Sequence, residues 1–217
     1  MDFSYLFEPY DTLVTKADQA FQRMHGEFAE HIKCERRCSD CCHAVFGLFL
    51  IEAVFLKRDF DQLGIKEREA ALNRCEEADK ELETLQKTLK EFEDDPQMGA
   101  YSMAKARIRC PLLSDDHECI LYPYRPITCR VYGIPTLIQG VPRACGKSGF
   151  NKDQAYPTFN LDDIHQELFQ LSKELLESMG REDLEEAGLL LSVSKVIKTP
   201  VEELMGHQIP GSSDKTG

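Results

Sequence analysis

Four cysteines fall within nine positions of this chain, in the stretch CERRCSDCC, and two of them are adjacent. This first group is Cys34, Cys38, Cys41 and Cys42, and a second group follows far downstream at Cys110, Cys119, Cys129 and Cys145. Spacings as short as C-x2-C let two sulfur atoms approach one centre from a tight turn, which is typical of zinc and iron-sulfur sites. We therefore predict that these eight cysteines are metal ligands.

The expected cellular location supports metal ligands over disulfides. The N-terminus has no basic stretch followed by an apolar run, so we predict neither a signal peptide nor a transit peptide. No stretch has the apolar length needed to cross a bilayer. The expected location is the cytoplasm, where clustered cysteines stay reduced and are more often metal ligands than disulfides.

Charge excludes two classes of partner and suggests what faces the thiols. A formal net charge of -12 argues against binding to nucleic acid or to an anionic membrane. Residues 61–95 carry twelve acidic and six basic side chains, whereas residues 101–149 carry three acidic and seven basic ones. Buried thiolates need an offsetting charge. The cations interleaved with the downstream cysteines are Arg125, Arg130, Arg143 and Lys147.

The sequence leaves the identity of the metal open. Neighbouring side chains in an extended chain point to opposite sides, so Cys41 and Cys42 either grip one polynuclear cluster from a kinked backbone or serve two centres. A lone tetrahedral zinc ion would use only half of the eight thiols. Four thiolates leave the same formal charge around zinc and around an oxidised cubane cluster, so charge does not choose between them. We take an iron-sulfur cluster as the preferred cofactor and zinc as the alternative.

Three further residues have a plainer interpretation than metal binding. Cys75 falls on the apolar seam of a charged helix and is interpreted as a core residue. His43 and His117 each lie close to a cysteine, and both are interpreted as partly exposed side chains rather than as ligands.

Apolar residues recur at steps of three and four on both sides of the cysteines, which predicts amphipathic helices. The first is expected to run to Ile32, directly before Cys34. Residues 44–60 are apolar and could begin as a strand before becoming helical. A long helix is expected at 65–92, with Pro96 and Gly99 in the segment that ends it.

The C-terminal third is predicted to be helical as well. One helix is expected to begin with Asn160 or Asp162 as its N-cap and to end at Gly180, and a second is expected over residues 181–198. A short last helix is expected to have Thr199 as its N-cap and Pro200 as its first residue.

The predicted fold class is therefore mostly α: an irregular metal-organised core, rich in cysteine and proline, packed by amphipathic helices, with one long charged helix or helical hairpin. Six prolines between residues 110 and 160 exclude long helices there, so we expect the metal to order that segment. We predict a single metal-binding domain at 1–208 and a disordered tail at 209–217. Its parts are the cysteine core at 34–60 and 100–150, the inserted charged helix at 62–95, and the C-terminal helices at 160–207.

Two sequence blocks resemble the YkgJ-type cysteine-cluster proteins, a family thought to chelate zinc or iron. The first is CSDCC followed by an apolar segment containing Glu52, and the second is CPLLSDDHECILYPYRPITCRVYG. By position, the resemblance implicates first Cys38, Cys41, Cys42, Cys110, Cys119 and Cys129, and second Cys34 and Cys145. Arg125 and Arg130 match the family's arginines beside these cysteines and are expected to support the metal site. A more distant likeness to flagellin lysine N-methylases implies a methyl-transfer enzyme as an alternative.

Three functions remain in consideration from the sequence. The first is a cysteine-rich protein that coordinates an iron-sulfur cluster or zinc. The second is a metal-dependent modifying enzyme such as a protein lysine N-methyltransferase, which a cavity beside the metal would favour. The third is an interaction module with a structural zinc, in which the 65–92 helix binds a protein partner. Nucleotide-binding and hydrolase motifs are absent, so whether the protein is an enzyme stays open.

Overall fold

A computed structural model describes residues 4–35, 37–151, 153–181 and 184–205. The helices are α1 (Phe7–Glu27), α2 (Leu50–Asp61), α3 (Ile65–Glu91), α4 (Pro96–Lys105), α5 (Ile127–Val131), α6 (Leu161–Ser178), α7 (Leu184–Ala187), α8 (Val193–Lys198) and α9 (Val201–Leu204). The strands β1 (Thr136–Ile138), β2 (Val141–Arg143) and β3 (Phe159–Asn160) form a small sheet in the order β2-β1-β3. The fold is mostly α, as predicted, while the predicted tail at 209–217 lies outside the described residues.

Helix α2 lies at the centre of the core. All but two of its residues are buried, so its sequence shows no polar face, and periodicity alone could not identify it as a helix. Helices α6, α8 and α9 pack against it, and α1 packs against both α5 and α6. The Ser172 hydroxyl of α6 accepts a hydrogen bond from the backbone N–H of Ile51 at 3.2 Å, which ties α6 to the first turn of α2. The stretch before α2, where a strand was considered, makes only isolated bridges.

Helix α3 and the shorter α4 form a helical hairpin, which was one of the two predicted alternatives. Helix α3 ends at Glu91, one residue before the predicted boundary, and α4 folds back against it. The segment that contains Pro96 and Gly99 ends α3 as predicted, but Pro96 then opens α4, and Gly99 lies inside this helix rather than capping a turn. A proline is tolerated at the first helical position, where its missing N–H is not needed. Asp95 caps this new helix by accepting a hydrogen bond from Met98 N–H at 3.1 Å.

The C-terminal helices differ from the predicted pair in one respect. Asn160 caps α6 as expected, but the predicted helix over 181–198 is divided into α7 and α8. Leu191 leaves the helical path to exchange two backbone hydrogen bonds with Leu48, at 2.8 and 2.9 Å. The predicted N-cap of the last helix was also one residue early, since Pro200 rather than Thr199 occupies that position.

Helix α1 ends earlier than its apolar spacing predicted. It stops at Glu27, and an irregular segment leads from there to Cys34. Ile32 is nevertheless buried, so the apolar spacing identified a core residue but not its secondary structure.

Candidate metal centre

Backbone pairing brings the two cysteine groups of the sequence together. The Cys110 N–H donates to the Cys42 carbonyl at 2.7 Å, and the Ile108 N–H donates to the His43 carbonyl at 3.0 Å. The Nδ1 atom of His43 is 2.9 Å from the Ser39 carbonyl, so this ring holds the 3₁₀ turn at Cys41–His43. The end of the first group is thereby fixed against the start of the second.

A tight reversal of the chain then brings Cys119 back towards Cys110. The Ser114 N–H donates to the Glu118 carbonyl at 2.9 Å, and His117 has a left-handed φ of 61° within this turn. Cys119 pairs with Leu113 across the reversal. His117 is exposed and forms part of the turn, in agreement with its interpretation as a partly exposed side chain.

Glu52 positions the short helix that carries Cys129. Its carboxylate is 3% exposed and accepts hydrogen bonds from the N–H of Ile127, the first residue of α5, at 3.1 Å and from Phe49 N–H at 3.4 Å. Burial raises the pKa of Glu52 to about 7, and the two backbone bonds oppose that rise. In the sequence, Glu52 was implicated only through the family resemblance. An acidic residue inside an apolar run is itself a signal of a buried polar link.

Five cysteines, which we call the inner group, line one cavity of about 70 Å³. They are Cys41, Cys42, Cys110, Cys119 and Cys129. Arg125 lies in the same wall, with its guanidinium stacked 3.7 Å from the centroid of the Tyr122 ring. The inner group draws two residues from the first sequence group and three from the second.

All of the inner thiols except that of Cys41 are held in a setting that disfavours their charged form. Burial raises the pKa of Cys110 to about 12, and burial together with the neighbouring thiols raises the pKa of Cys129 well above its usual value. A hydrogen bond from the Cys42 thiol lowers the pKa of Cys41 to about 7, with a further contribution from Arg125. A bound metal cation would instead favour the charged thiolate form, because metal ligation requires thiolates.

The remaining three cysteines, Cys34, Cys38 and Cys145, form an outer group next to the inner one. Burial and the nearby thiols of Cys38, Cys145 and Cys41 raise the pKa of Cys34 to about 11. Gly133 leaves the space that the Cys34 thiol occupies, since a Cβ there would collide with the sulfur atom. Cys41 of the inner group acts electrostatically on Cys34 of the outer group as well as on Cys129 of its own group.

Asp40 forms ion pairs with two cations next to the outer group. The Cys145 thiol donates to its carboxylate at 3.4 Å, while Arg107 and Lys147 pair with the same carboxylate at 2.8 and 3.4 Å. Burial opposes these partners, yet their net effect lowers the pKa of Asp40. Lys147 therefore pairs with a carboxylate beside the thiols rather than offsetting the thiols alone.

An aromatic cluster holds the two backbone segments of the outer group together. Phe28 and His31 precede Cys34, and Phe150 and Tyr156 follow Cys145; the ring centroids in contact are 4.9 to 6.4 Å apart. The Gly149 N–H also donates to the His31 carbonyl at 2.7 Å. The loop that bears Cys145 is thus anchored to the segment that bears Cys34.

The two arginines implicated by the family resemblance lie in different surroundings. Arg125 faces the thiols and lowers the pKa of Cys41. Arg130 instead donates from Nη1 to both carboxylate oxygens of Asp18, at 3.0 and 2.8 Å, and from Nε to the Arg125 carbonyl at 2.8 Å. Arg130 therefore joins α1 to the cysteine segment. Cys75 is 1% exposed inside the core, in agreement with its interpretation.

Cysteine thiols are ligands that suit a thiophilic metal such as zinc or iron. Their side chains, however, are not gathered around a single ion. Four sulfur atoms at about 2.3 Å from zinc are about 3.8 Å from one another. Among the described residues, no three histidine, cysteine, aspartate or glutamate side chains stand close enough to hold one ion. The thiols therefore line the cavity without converging on one point.

Comparison with known proteins gives one match. A family model named CxxCxxCC, with the description "Putative zinc- or iron-chelating domain", matches residues 33–146, which is more than half of the chain. No curated protein and no solved structure matches. Within the described ranges, no helix is both long and apolar enough to span a membrane.

Proposed function

The chain belongs to the CxxCxxCC family, and from that premise we propose that it is a metal-binding protein whose clustered cysteines coordinate an iron-sulfur cluster, with zinc as the alternative. One observation carries this proposal: five cysteines from separate stretches of the chain line a single cavity. Cysteines that were only small core residues would not be expected to line the same cavity.

The adjacent cysteines in the cavity wall support a cluster over a single zinc ion. A zinc ion takes four sulfur ligands that lie about 3.8 Å from one another. A polynuclear cluster takes its cysteine ligands from further apart. The adjacent Cys41 and Cys42 lie in a 3₁₀ turn. This turn is the kinked backbone that would let both thiols bind the same cluster.

The roles of the residues follow from their positions. The inner group would hold the cluster, and the bound cluster would supply electron transfer or Lewis acidity. Arg125 offsets the negative charge of the thiolates from the cavity wall. The outer group would extend the ligand set through Cys41, which acts electrostatically on thiols of both groups.

The decisive experiment is elemental analysis with a visible absorption spectrum on protein purified without oxygen. We expect iron and acid-labile sulfide in stoichiometric amounts, while zinc in a colourless protein would select the alternative. Cys129→Ser is expected to lose the metal, and Cys75→Ser is its matched control, since it changes a core cysteine outside the cavity wall. Equal metal content in the two variants would contradict the ligand assignment.

A metal-dependent modifying enzyme, such as a protein lysine N-methyltransferase, is the second candidate. The observation that favours it is the cavity beside the thiols, because catalytic metal sites keep a position open whereas structural sites are closed. The test is incorporation of label from a radioactive methyl donor into a lysine-rich peptide by the metal-loaded protein. Incorporation that persists in metal-free Cys129→Ser protein would exclude this function for the site.

A further inference from the structure

Apolar side chains are incompletely covered at the far end of the α3–α4 hairpin, residues 81–105, which we call the hairpin end. Leu85, Leu89 and Phe92 follow one another along α3 and its C-cap at steps of four and three, so they share one face of the helix. All three are half-buried, whereas Ala78, two turns earlier on the same face, is fully buried. The folded chain therefore covers this face only in part.

Helix α4 packs its small residues against α3 and leaves its larger apolar residues in solvent. Gly99 and Ser102 are half-buried, and a Cβ at Gly99 would lie 3.9 Å from the Phe92 carbonyl oxygen, which places this side of α4 against the end of α3. The exposed fractions of its large apolar residues are 39% for Met98, 57% for Tyr101 and 37% for Met103. Flexible methionines beside an exposed aromatic ring are typical of surfaces that bind other proteins.

Negative charge is concentrated at the hairpin end. Residues 81–95 carry six acidic and two basic side chains, whereas residues 65–80, the first half of α3, carry five and four. All eight charged side chains of residues 81–95 are exposed, and none forms an ion pair with another described residue. The Lys105 ammonium lies 5.7 Å from the centroid of the Tyr101 ring, so this exposed ring already attracts a cation. The charge complementary to this surface is therefore positive.

We propose that the hairpin end binds a lysine- and arginine-rich amphipathic helix of a partner protein. The apolar side of that helix packs against Leu85, Leu89 and Tyr101, and its cations pair with the acidic residues at 91–95. A helix suits this surface because the apolar residues of α3 repeat at helical spacing, which a second helix can match. A second copy of this chain suits it less, since the same acidic residues would face one another. This surface is additional to metal binding, because residues 81–105 contain no cysteine.

The test is fluorescence anisotropy on the full chain at physiological ionic strength, with a labelled amphipathic peptide built from leucine and lysine, about four helical turns long. The comparison peptide has glutamate in place of every lysine. We expect the lysine peptide to bind about tenfold more tightly or better, the difference expected from several exposed charge pairs. Its binding should also slow amide hydrogen exchange in residues 85–91 and 96–104, which places the contact on the hairpin end.

A pair of tyrosine variants tests the apolar contact. Tyr101→Ala should weaken binding of the lysine peptide about fivefold or more, because exposed tyrosines are often the strongest contacts of an interface. Tyr5→Ala is the matched control, since Tyr5 is 56% exposed and lies outside the hairpin end. This control should leave the affinity unchanged, and both variants should fold normally because both side chains are in solvent.

A pair of charge-reversal variants tests the electrostatic contact. The double variant E93K/D94K should weaken binding of the lysine peptide about tenfold. The double variant E76K/E77K makes the same change in net charge at exposed positions on the packed half of α3, and it should weaken binding less than about twofold. The difference between the two separates a local contact from general attraction to an acidic chain.

Any of four results would overturn the proposal: no binding of the lysine peptide, equal binding of the two peptides, an unchanged affinity in Tyr101→Ala, or equal losses in the two double variants. Light scattering after size-exclusion chromatography tests the remaining occupant. A parent protein that is a dimer and becomes a monomer in Tyr101→Ala would show that a second copy covers the hairpin end, which also overturns the proposal.

Discussion

Glu52 shows how one buried carboxylate couples the core to the cysteine segment. The folded protein raises the pKa of this side chain from 4.5 to about 7, so the folded state binds its proton more tightly than the unfolded chain does. The stabilisation is therefore fully present below about pH 4.5 and is lost as the pH rises towards 7. The size of the shift corresponds to about 3 kcal/mol of unfolding free energy.

We predict that Glu52→Gln removes this pH dependence, because an amide does not ionise. Urea unfolding of the two proteins between pH 4.5 and 7.5 measures it, and the parent should lose about 3 kcal/mol relative to the variant across that range. Comparing the two proteins cancels the titration of the thiols, which both share. Parallel stability curves would show that Glu52 titrates normally in the folded state.

Arg125 and Arg130 form a natural pair of variants, because only one of them faces the thiols. We expect Arg125→Gln to weaken metal affinity about tenfold to a hundredfold, since it removes a cation that favours thiolate formation. Arg130→Gln should leave the metal site intact and reduce stability, because its side chain is 9% exposed and paired with Asp18. Competition with a chromophoric chelator measures the first effect and thermal unfolding the second. The reverse result, with metal loss on changing Arg130, would contradict these roles.

At the scale of elements, helix α3 divides into a packed half and a loosely covered half. Ala71, Cys75 and Ala78 are buried, whereas Leu82, Leu85 and Leu89 are only half-buried. The apolar seam is therefore not enclosed along its full length, and a protein partner for the 65–92 helix stays a prediction. Tyr101 of the facing α4 is 57% exposed, so that hairpin end carries uncovered apolar surface.

We predict that amide hydrogen exchange separates the two halves of α3. Amides of residues 71–79 should exchange through global unfolding, while those of residues 85–91 should exchange much faster through local opening, because few buried contacts hold them. Peptide-resolved mass spectrometry measures both halves in one experiment. Uniform protection along α3 would mean that the distal half is covered in solution by another surface, such as a second copy of the chain.

The sequence predicted the elements whose stability is local and missed those set by distant contacts. The period of α3 and the Asn160 cap of α6 depend on neighbouring residues, so spacing sufficed for both. Leu191 breaks a helical pattern only because Leu48, far away in the chain, offers backbone partners. The eight cysteines were identifiable as a set, but their division into inner and outer groups depends on backbone pairing that spacing does not encode.

For the whole molecule, the proline-rich segment has more than a metal to order it. Leu112, Leu121, Ile127, Val131 and Ile134 recur along it, and all are buried in the same core as the helices. Two hydrogen bonds add fixed points near Cys129: Glu52 accepts one from the Ile127 N–H, and Arg130 donates one to the Arg125 carbonyl. Any ordering of this segment by the metal therefore adds to an apolar core that the segment already shares with the helices.

Metal removal should accordingly loosen the protein locally rather than unfold it. We predict that a strong chelator under reducing conditions leaves the far-ultraviolet circular dichroism signal nearly unchanged, because helices α1, α2 and α6 pack on one another without any cysteine ligand. Hydrogen exchange should rise in residues 107–121 and 141–149, where turns carry the thiols, and stay low in residues 127–131, which Glu52 and Arg130 hold. Complete loss of helical signal on chelation would instead make this fold dependent on its metal, as in small zinc domains that are unfolded without it.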